Sequence, residues 1–466
     1  MPIRFRAMLG REKTILYSFI ILLLACPIPL GSNRPWSWSI LAMAAGILTL
    51  WLGALMVKDS SKSLFPSGVF WWVVAPFLLV LAWSAAQAYL PPPEGWEDPL
   101  WSQTAAALEE PVAPWMSLDP AATRTALMRL AAYGALFYLS LTLCRRHSRA
   151  RQLYSWITAG AVAYSLYGII IYLSGARMIL WYKQEELARY FEDDVVSTFL
   201  NHNHFATYAG LGLVCLLGLT ADRIPRLLSS VGESAQISSE ETGDLGVNVI
   251  VISLAFAILV SGIVLSHSRA GLIFTFLAVA LYLLIFVLSS RWALAIRAGL
   301  AVALAGLTAL VYMVGGYGFE KRMERLEESG VLRFAIYEIT EEGIAFRPWS
   351  GVGHGAYIHS IKRHKNIELY HQIDQAHNVY LETAMELGVP VSLALLAAFL
   401  AMFVILLRGV FRRGRGRVFS AVGLCAMALV GTHSLFEFSM QIPAVAATFS
   451  AIAGAACARS FSSRQS

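Results

Sequence analysis

Charge is what this chain has least of. Asp, Glu, Lys and Arg make up 14% of its 466 residues, against 57% hydrophobic residues, whereas a water-soluble domain carries roughly 25% charged residues. So little polar surface cannot clothe so many apolar side chains, which excludes a soluble globular enzyme or binding module. Cysteine is also scarce. Cys26, Cys144, Cys215, Cys425 and Cys457 fall in or at the ends of apolar runs and lack the spacing of a metal knot or disulfide framework, so they read as small core residues. HEXXH is absent. The two halves show no internal repeat of the kind that marks many transporters.

What the chain has in abundance is long apolar runs. The segments 35–57, 246–266 and 270–290 each approach or exceed the roughly 20 residues that cross a bilayer, and continuous runs of this kind mean helices. The pattern predicts an all-α polytopic membrane protein with about twelve spans, near 14–31, 35–57, 69–90, 124–144, 153–174, 204–220, 247–266, 270–289, 294–315, 387–407, 418–437 and 443–459. Alternate connections differ in charge. One set carries MPIRFRAMLGREK, CRRHSRARQ, RWALAIR and RGVFRRGRGR, while the loop 91–123 has six acids and no Lys or Arg. This is the positive-inside pattern, and it predicts cytoplasmic termini. The net charge of +6 is then a topology signal, and no nucleic-acid partner is expected.

Three parts follow. Residues 1–315 hold nine spans with outward loops 91–123 and 175–203. Residues 316–386 form one large outward loop, and residues 387–466 hold three spans and a cytoplasmic tail. Within the large loop, FEKRMERLEESGVLRFAIYEITEEGIAF has apolar residues spaced for one or two amphipathic helices. RPWSGVGHGAY follows as a glycine-rich turn, then the basic stretch IKRHK. The loop 91–123 reads as irregular, with Asp119 and Pro120 starting the next span, and the inward loop 222–245 reads as flexible.

Each polar candidate has two readings. Arg269 in SHSRAG is either an interfacial arginine whose stem lies along apolar surface or a fixed cation for a phosphate-bearing lipid. Arg333 is either half of a surface ion pair with Glu327 or Glu328 or a second cation for the same ligand. The turn around Gly353 is structural or a nest of amides that accepts an anion. Asn201, His202 and Asn203 suit a polar pocket at a helix start. The several outward histidines lack metal-ligand spacing, since NHNH puts His202 and His204 on opposite faces.

With these residues in view, the chain resembles the O-antigen ligase and polymerase superfamily of bacterial inner-membrane proteins. The motifs that carry the resemblance are STFLNHNHFATYAG (197–210), LSHSRAGL (265–272), the stretch from Arg333 through RPWSGVGHGAY, and AHNVYLETAMELG (376–388). The last fits the family pattern of a His, then Asn, Ser or Gln, then nine residues and Gly, at His377, Asn378 and Gly388. Val391 and Tyr337 stand where the family more often has a small residue, Tyr or Thr, and Leu or Trp, respectively.

The resemblance implies a GT-C-like, metal-independent, inverting glycosyltransferase that needs no cofactor. Its donor would be an undecaprenyl-diphosphate-linked glycan, and its acceptor a sugar hydroxyl on another glycan or on lipid A-core. It would work on the periplasmic face of the inner membrane, among bilayer lipids, in O-antigen or exopolysaccharide assembly. Carried over, Arg269 and Arg333 bind the donor diphosphate and His377 serves the acceptor, with Asn378 fixing the acceptor or the His377 tautomer. Polymerase, ligase and protein O-glycosylation all remain open, and a lipid-linked oligosaccharide flippase is the alternative from another class. The orientation can be tested alone. Reporter fusions after residues 110 and 360 should be active outside the cytoplasm, and a fusion after residue 412 inside it; the reverse would overturn the topology.

Overall fold

The computed structural model of the chain describes residues 2–57, 68–176, 178–183, 194–233, 239–289, 319–363, 373–412 and 416–461. It is helical almost throughout. The first half contains α1 (Pro2–Ala25), α2 (Pro35–Val57), α3 (Trp71–Tyr89), α4 (Pro99–Leu108), α5 (Pro120–Leu143) and α6 (His147–Ser174), then a short antiparallel hairpin of Met178–Ile179 and Tyr182–Lys183. There follow α7 (His202–Glu233), α8 (Ser239–Leu265), α9 (Arg269–Ser289), α10 (Phe319–Phe346), α11 (Tyr357–Ile361), α12 (Val379–Leu387), α13 (Val389–Phe411), α14 (Gly416–His433) and α15 (Pro443–Phe461).

Among the described residues, nine helices are long and apolar enough to cross a membrane: 35–57, 68–89, 120–143, 147–174, 202–223, 269–286, 389–411, 416–433 and 443–461. Two more expected spans differ from the pattern. The one near 14–31 is the tail of α1, which stops at Ala25 ahead of Pro27 and Pro29, where proline removes the donors a helix needs. The one near 247–266 is the C-terminal part of α8, a continuous helix over Ser239–Leu265 that is apolar across Val249–Leu265. The expected span at 294–315 lies outside the described residues. The loop 91–123 is irregular apart from one helix, α4, which starts where Asp98 accepts from the amide of Leu100. The inward loop 222–245 is largely helical, as α7 continues to Glu233 and α8 begins at Ser239.

Membrane helices meet through close packing rather than a hydrophobic drive, so small residues belong at the centre. That is the position of α15, whose Ala-, Gly- and Ser-rich sequence is buried from Pro443 to Ser460. A Cβ on Gly454 would come within 2.4 Å of the Phe137 carbonyl of α5. Ser140 and Tyr154 donate to the carbonyls of Ala451 and Ile452, at 2.6 and 3.0 Å. The membrane portion of α7 is similarly enclosed. Outer helices instead expose large apolar side chains such as Leu50, Val57, Trp72, Leu254 and Leu400, as a lipid-facing surface requires.

The two ends of the bundle differ. One end holds ion pairs between Arg149 and Glu12 at 2.8 Å and between His147 and Asp222 at 2.9 Å, with Arg459 bonded to the Arg145 carbonyl. The other end carries α4, α10, α11 and α12. There the buried Asp98 pairs with Arg347 and Arg363. Gln87 of α3 donates to the carbonyls of Ser350 and Glu386, at 2.8 and 2.9 Å, and accepts from the amide of His354. A small core of Ile336, Val352, Tyr357, Ile361, Ile373, Ala376 and Met385 joins these pieces.

Helix α12 ends abruptly because Gly388 adopts φ 80°, ψ 155°, a region nearly closed to other residues. Three of the carbonyls left over at its C-terminus are met from outside the helix. Met385 and Glu386 accept from the amides of Val352 and Gly353, both at 3.0 Å, and Leu387 accepts from Trp83 at 2.9 Å. A Cβ on Gly388 would lie 2.4 Å from the Trp349 carbonyl. Gly388→Ala should therefore lose about 1–3 kcal/mol, seen as a lower unfolding midpoint in detergent; an unchanged midpoint would show that this turn does not set α12.

Candidate functional site

His377 stands one residue before the cap of α12. Asn378 caps the helix, its side-chain oxygen accepting from the amides of Tyr380 and Leu381 at 3.0 and 3.1 Å. To enter that cap the chain puts His377 at φ 51°, a left-handed conformation that is uncommon outside glycine, Asn and Asp. The strained residue is held from α10 and α14. Tyr337 donates to the carbonyls of His377 and Leu435 at 3.4 and 3.2 Å, and the amide of Val379 bonds the Ser434 carbonyl at 2.9 Å. This gives Tyr337 a use at the position where it departs from the family's usual residue.

The imidazole of His377 faces a carboxylate. Glu437, in the turn between α14 and α15, is 2% exposed and places Oε2 3.2 Å from His377 Nδ1. Its Oε1 accepts from Arg333 Nη2 at 2.7 Å and from Asn203 Nδ2 at 3.0 Å. Burial alone would raise the Glu437 carboxyl, but the hydrogen bond and charge of His377, with the Arg333 charge, outweigh it and hold the group below the ordinary carboxylate range. Phe438 lies edge-on to His377, with ring centres 5.2 Å apart. His377 keeps 30% of its side chain exposed, so its far edge reaches open space.

Asn203 passes the network onward. Its Oδ1 accepts from Ser268 Oγ at 2.6 Å, which ties the start of α7 to the turn before α9. The neighbours of both residues meet at a second carboxylate. Asp194 Oδ2 bonds His202 Nδ1 at 2.6 Å and Oδ1 bonds His267 Nδ1 at 2.7 Å. Burial opposes ionisation of Asp194, yet the two imidazoles prevail and lower it. His204 turns the other way and packs edge-on to Phe438 at 4.7 Å. Among the described residues no metal-ligand set of three or more His, Cys, Asp or Glu side chains converges.

Arg269 is the first residue of α9 and its side chain is exposed. Among the described residues it has no hydrogen-bond or ion-pair partner. A cation at a helix N-terminus opposes the helix dipole, so local stability does not explain it. Arg333 differs, because its partner is Glu437; the side chains of Glu327 and Glu328 lie outside the described residues.

Gly353 is placed apart from this cluster. Its φ is 113°, its amide bonds the Glu386 carbonyl, and an added Cβ would lie 2.1 Å from Ser117 Oγ. The glycine-rich turn does receive an acceptor, but from its own chain: the buried Glu386 carboxyl accepts from the amides of Gly355 and Tyr357. Glu382, one turn earlier, accepts from the Ala376 amide at 2.9 Å and from Gln441 at 2.8 Å. The other outward histidines are dispersed. His354 meets Ser84 at 3.0 Å, with burial and then Arg129 holding it down to about 4, and His359 meets Asp119 at 3.1 Å. His364, His371 and Glu192 lie outside the described residues.

Glu437 escaped the sequence reading because it sat at the end of an expected span, 418–437. A signal was there: it is the only acidic residue after Glu386, and an acid at a membrane edge is costly unless it has work to do.

Residues 254–396 match the family model described as O-antigen ligase. The match supports membership of the O-antigen ligase and polymerase family, in line with the resemblance carried by the motifs. The matched segment contains Arg269, Arg333 and His377; His202 and Asn203 precede it and Glu437 follows it. No curated protein matches the chain.

The Glu382 and Glu386 pair gives a pH test. Burial holds both carboxyls above the usual range. A carboxyl with a raised native value binds its proton more tightly folded than unfolded, so stability falls as pH rises from the unfolded value, about 4.3, towards the native one. Glu386→Gln imitates the protonated form and keeps an acceptor for both amides. Its stability relative to the parent should rise between pH 4 and pH 8, by about 1.4 kcal/mol per unit of the raised value; a parallel pH dependence in thermal unfolding would refute this.

Proposed function

We propose that this chain is a membrane glycosyltransferase on the periplasmic face of the bacterial inner membrane. It moves a glycan from an undecaprenyl-diphosphate donor onto a sugar hydroxyl in O-antigen or related polysaccharide assembly. The observation that carries this reading is the meeting of His377, Arg333 and Asn203 on one buried carboxylate, at the end of the bundle opposite the basic ion pairs. Beyond Ser268 stands Arg269, which has no partner among the described residues.

The chemistry follows from the groups present. An acceptor hydroxyl attacks the anomeric carbon of the donor. A new C–O bond forms as the bond from that carbon to the phosphate oxygen breaks, and its electron pair leaves on the diphosphate. The hydroxyl proton passes to the His377 imidazole, whose ring nitrogen can accept it as general base. Arg269 and Arg333 meet the negative charge that grows on the leaving diphosphate. Guanidinium forks suit phosphate oxygens and keep their charge at any working pH. The donor set supplies cations as side chains, so this reading routes no step through a metal.

The family match names a ligase, and a ligase and a polymerase differ here only in acceptor. A flippase would need charge inside the spans, whereas the ion pairs among the described residues stand outside the membrane-spanning helices or at their ends.

Reconstitution with a lipid-linked repeat unit tests the reading. His377→Ala should insert and fold but turn over about 10²–10⁴-fold more slowly, and Arg269→Ala should weaken donor use. Near-full turnover by His377→Ala would remove the base from the scheme. Product formed only when lipid A-core is supplied identifies a ligase, and long chains without it identify a polymerase.

A further inference from the structure

The proposed chemistry leaves two features unexplained: a base whose proton must sit on one particular nitrogen, and a diphosphate-binding arginine that is already paired. Both trace to Glu437. We infer that Glu437 is a positioning residue that couples the two halves of the reaction, holding His377 as the acceptor's base and sharing its charge with Arg333, so that arrival of the donor diphosphate on Arg333 raises the basicity of His377. This rests on the transferase reading above.

The tautomer argument is direct. An ionised carboxylate only accepts hydrogen bonds, so Glu437 Oε2 at 3.2 Å from His377 Nδ1 requires the proton to be on Nδ1. A neutral imidazole then carries its lone pair on Nε2, the edge away from Glu437, and Nε2 takes the acceptor's proton. Carboxylate-held imidazoles elsewhere work in this way. Glu437 stays ionised in the buried turn because Arg333 and Asn203 donate to its other oxygen.

The coupling follows from that shared oxygen. While Arg333 is engaged at 2.7 Å, it offsets much of the Glu437 charge and weakens the pull of the carboxylate on a His377 proton. A diphosphate that draws Arg333 towards itself uncovers that charge, and its own anionic oxygens add to the effect. His377 thus becomes the stronger base only when a leaving group is in place, which guards against wasteful proton uptake before the donor arrives. Among the described residues, the other titratable and charged groups facing this pair are Tyr337 of α10, whose hydroxyl bonds the His377 carbonyl, Glu382, on the helix that His377 precedes, His204 of α7 and His433 of α14. None of them bonds the His377 ring, and none has an oxygen shared with Arg333.

Glu437→Gln discriminates this role from a structural one. The Gln amide nitrogen would donate to His377 Nδ1, move the ring proton to Nε2 and abolish the base, while Arg333 would lose an internal competitor of the diphosphate. With the full-length protein in lipid and an undecaprenyl-diphosphate-linked glycan, kcat should fall by about 10²-fold or more, whereas KM for the donor stays level or drops. Glu437→Asp, which keeps the carboxylate, should recover part of kcat. In the unmodified protein, the acid limb of kcat, which reports donor-bound enzyme, should lie at higher pH than that of kcat/KM for the donor, which reports free enzyme. Unchanged kcat in Glu437→Gln, a loss of donor binding alongside kcat, or coincident acid limbs would each overturn the inference. If the unmodified protein uses no lipid-linked diphosphate donor, the transferase reading itself fails; turnover with an unaffected Glu437→Gln variant removes only the coupling.

Discussion

A carboxylate that is 2% exposed to solvent must find its compensation inside the protein, and the end of the bundle that carries α10 and α12 is organised around that need. Glu437 gathers Arg333 from α10, Asn203 from the start of α7 and His377 from the turn before α12. Each partner comes from a different segment of the chain. An unpaired charge in such a place is far more costly than a paired one, so one side chain supplies the reason for four segments to meet. The conformational strain at His377, φ 51°, is tolerated because the ring, the carbonyl and the following amide are all held.

The two arginines divide along the same line. Arg333 is restrained by a partner, whereas Arg269, among the described residues, has none and stands at a helix start that disfavours it. On the proposed reading, a ligand with two phosphates would meet one cation ready to bind and one to be drawn away from a neighbour. The Asp194 node, clamped between His202 and His267, gives the turn before α9 a second rigid anchor. The unpartnered arginine is thus mounted on a fixed base rather than on a loose loop.

Much of this architecture was legible in the chain. Runs of apolar residues located nine of the spans, and Asp119 with Pro120 marked the start of α5. His377, Arg269 and Arg333 stood out as polar residues in apolar surroundings. What could not be read was pairing across long separations. Nothing local links Asn203 to Glu437, and Glu437 was absorbed into an apolar run. The glycine turn at 351–355 offered a structural and an anion-binding reading; its amides are taken by the buried Glu386 carboxyl, brought by a helix that begins beyond it. Asn378, which follows the key histidine, spends its side-chain oxygen on two amides of its own helix. That local use was visible only once the helix start was known.

The central helix α15 has a further consequence, for how the molecule is made. Its surface is Ala, Gly and Ser for most of its length, and protein rather than lipid covers it on all sides. A segment so small and so mildly apolar gains little from lipid alone, and its stability comes from the slot formed chiefly by α5, α13 and α14. Those helices precede it in the chain, so the slot exists before the helix that fills it. The turn carrying Glu437 lies between α14 and α15, and it reaches its final place only when that last insertion succeeds. Completion of the fold and completion of the site are therefore a single event, and a bundle missing its central helix would hold the histidine and both arginines without the carboxylate that organises them.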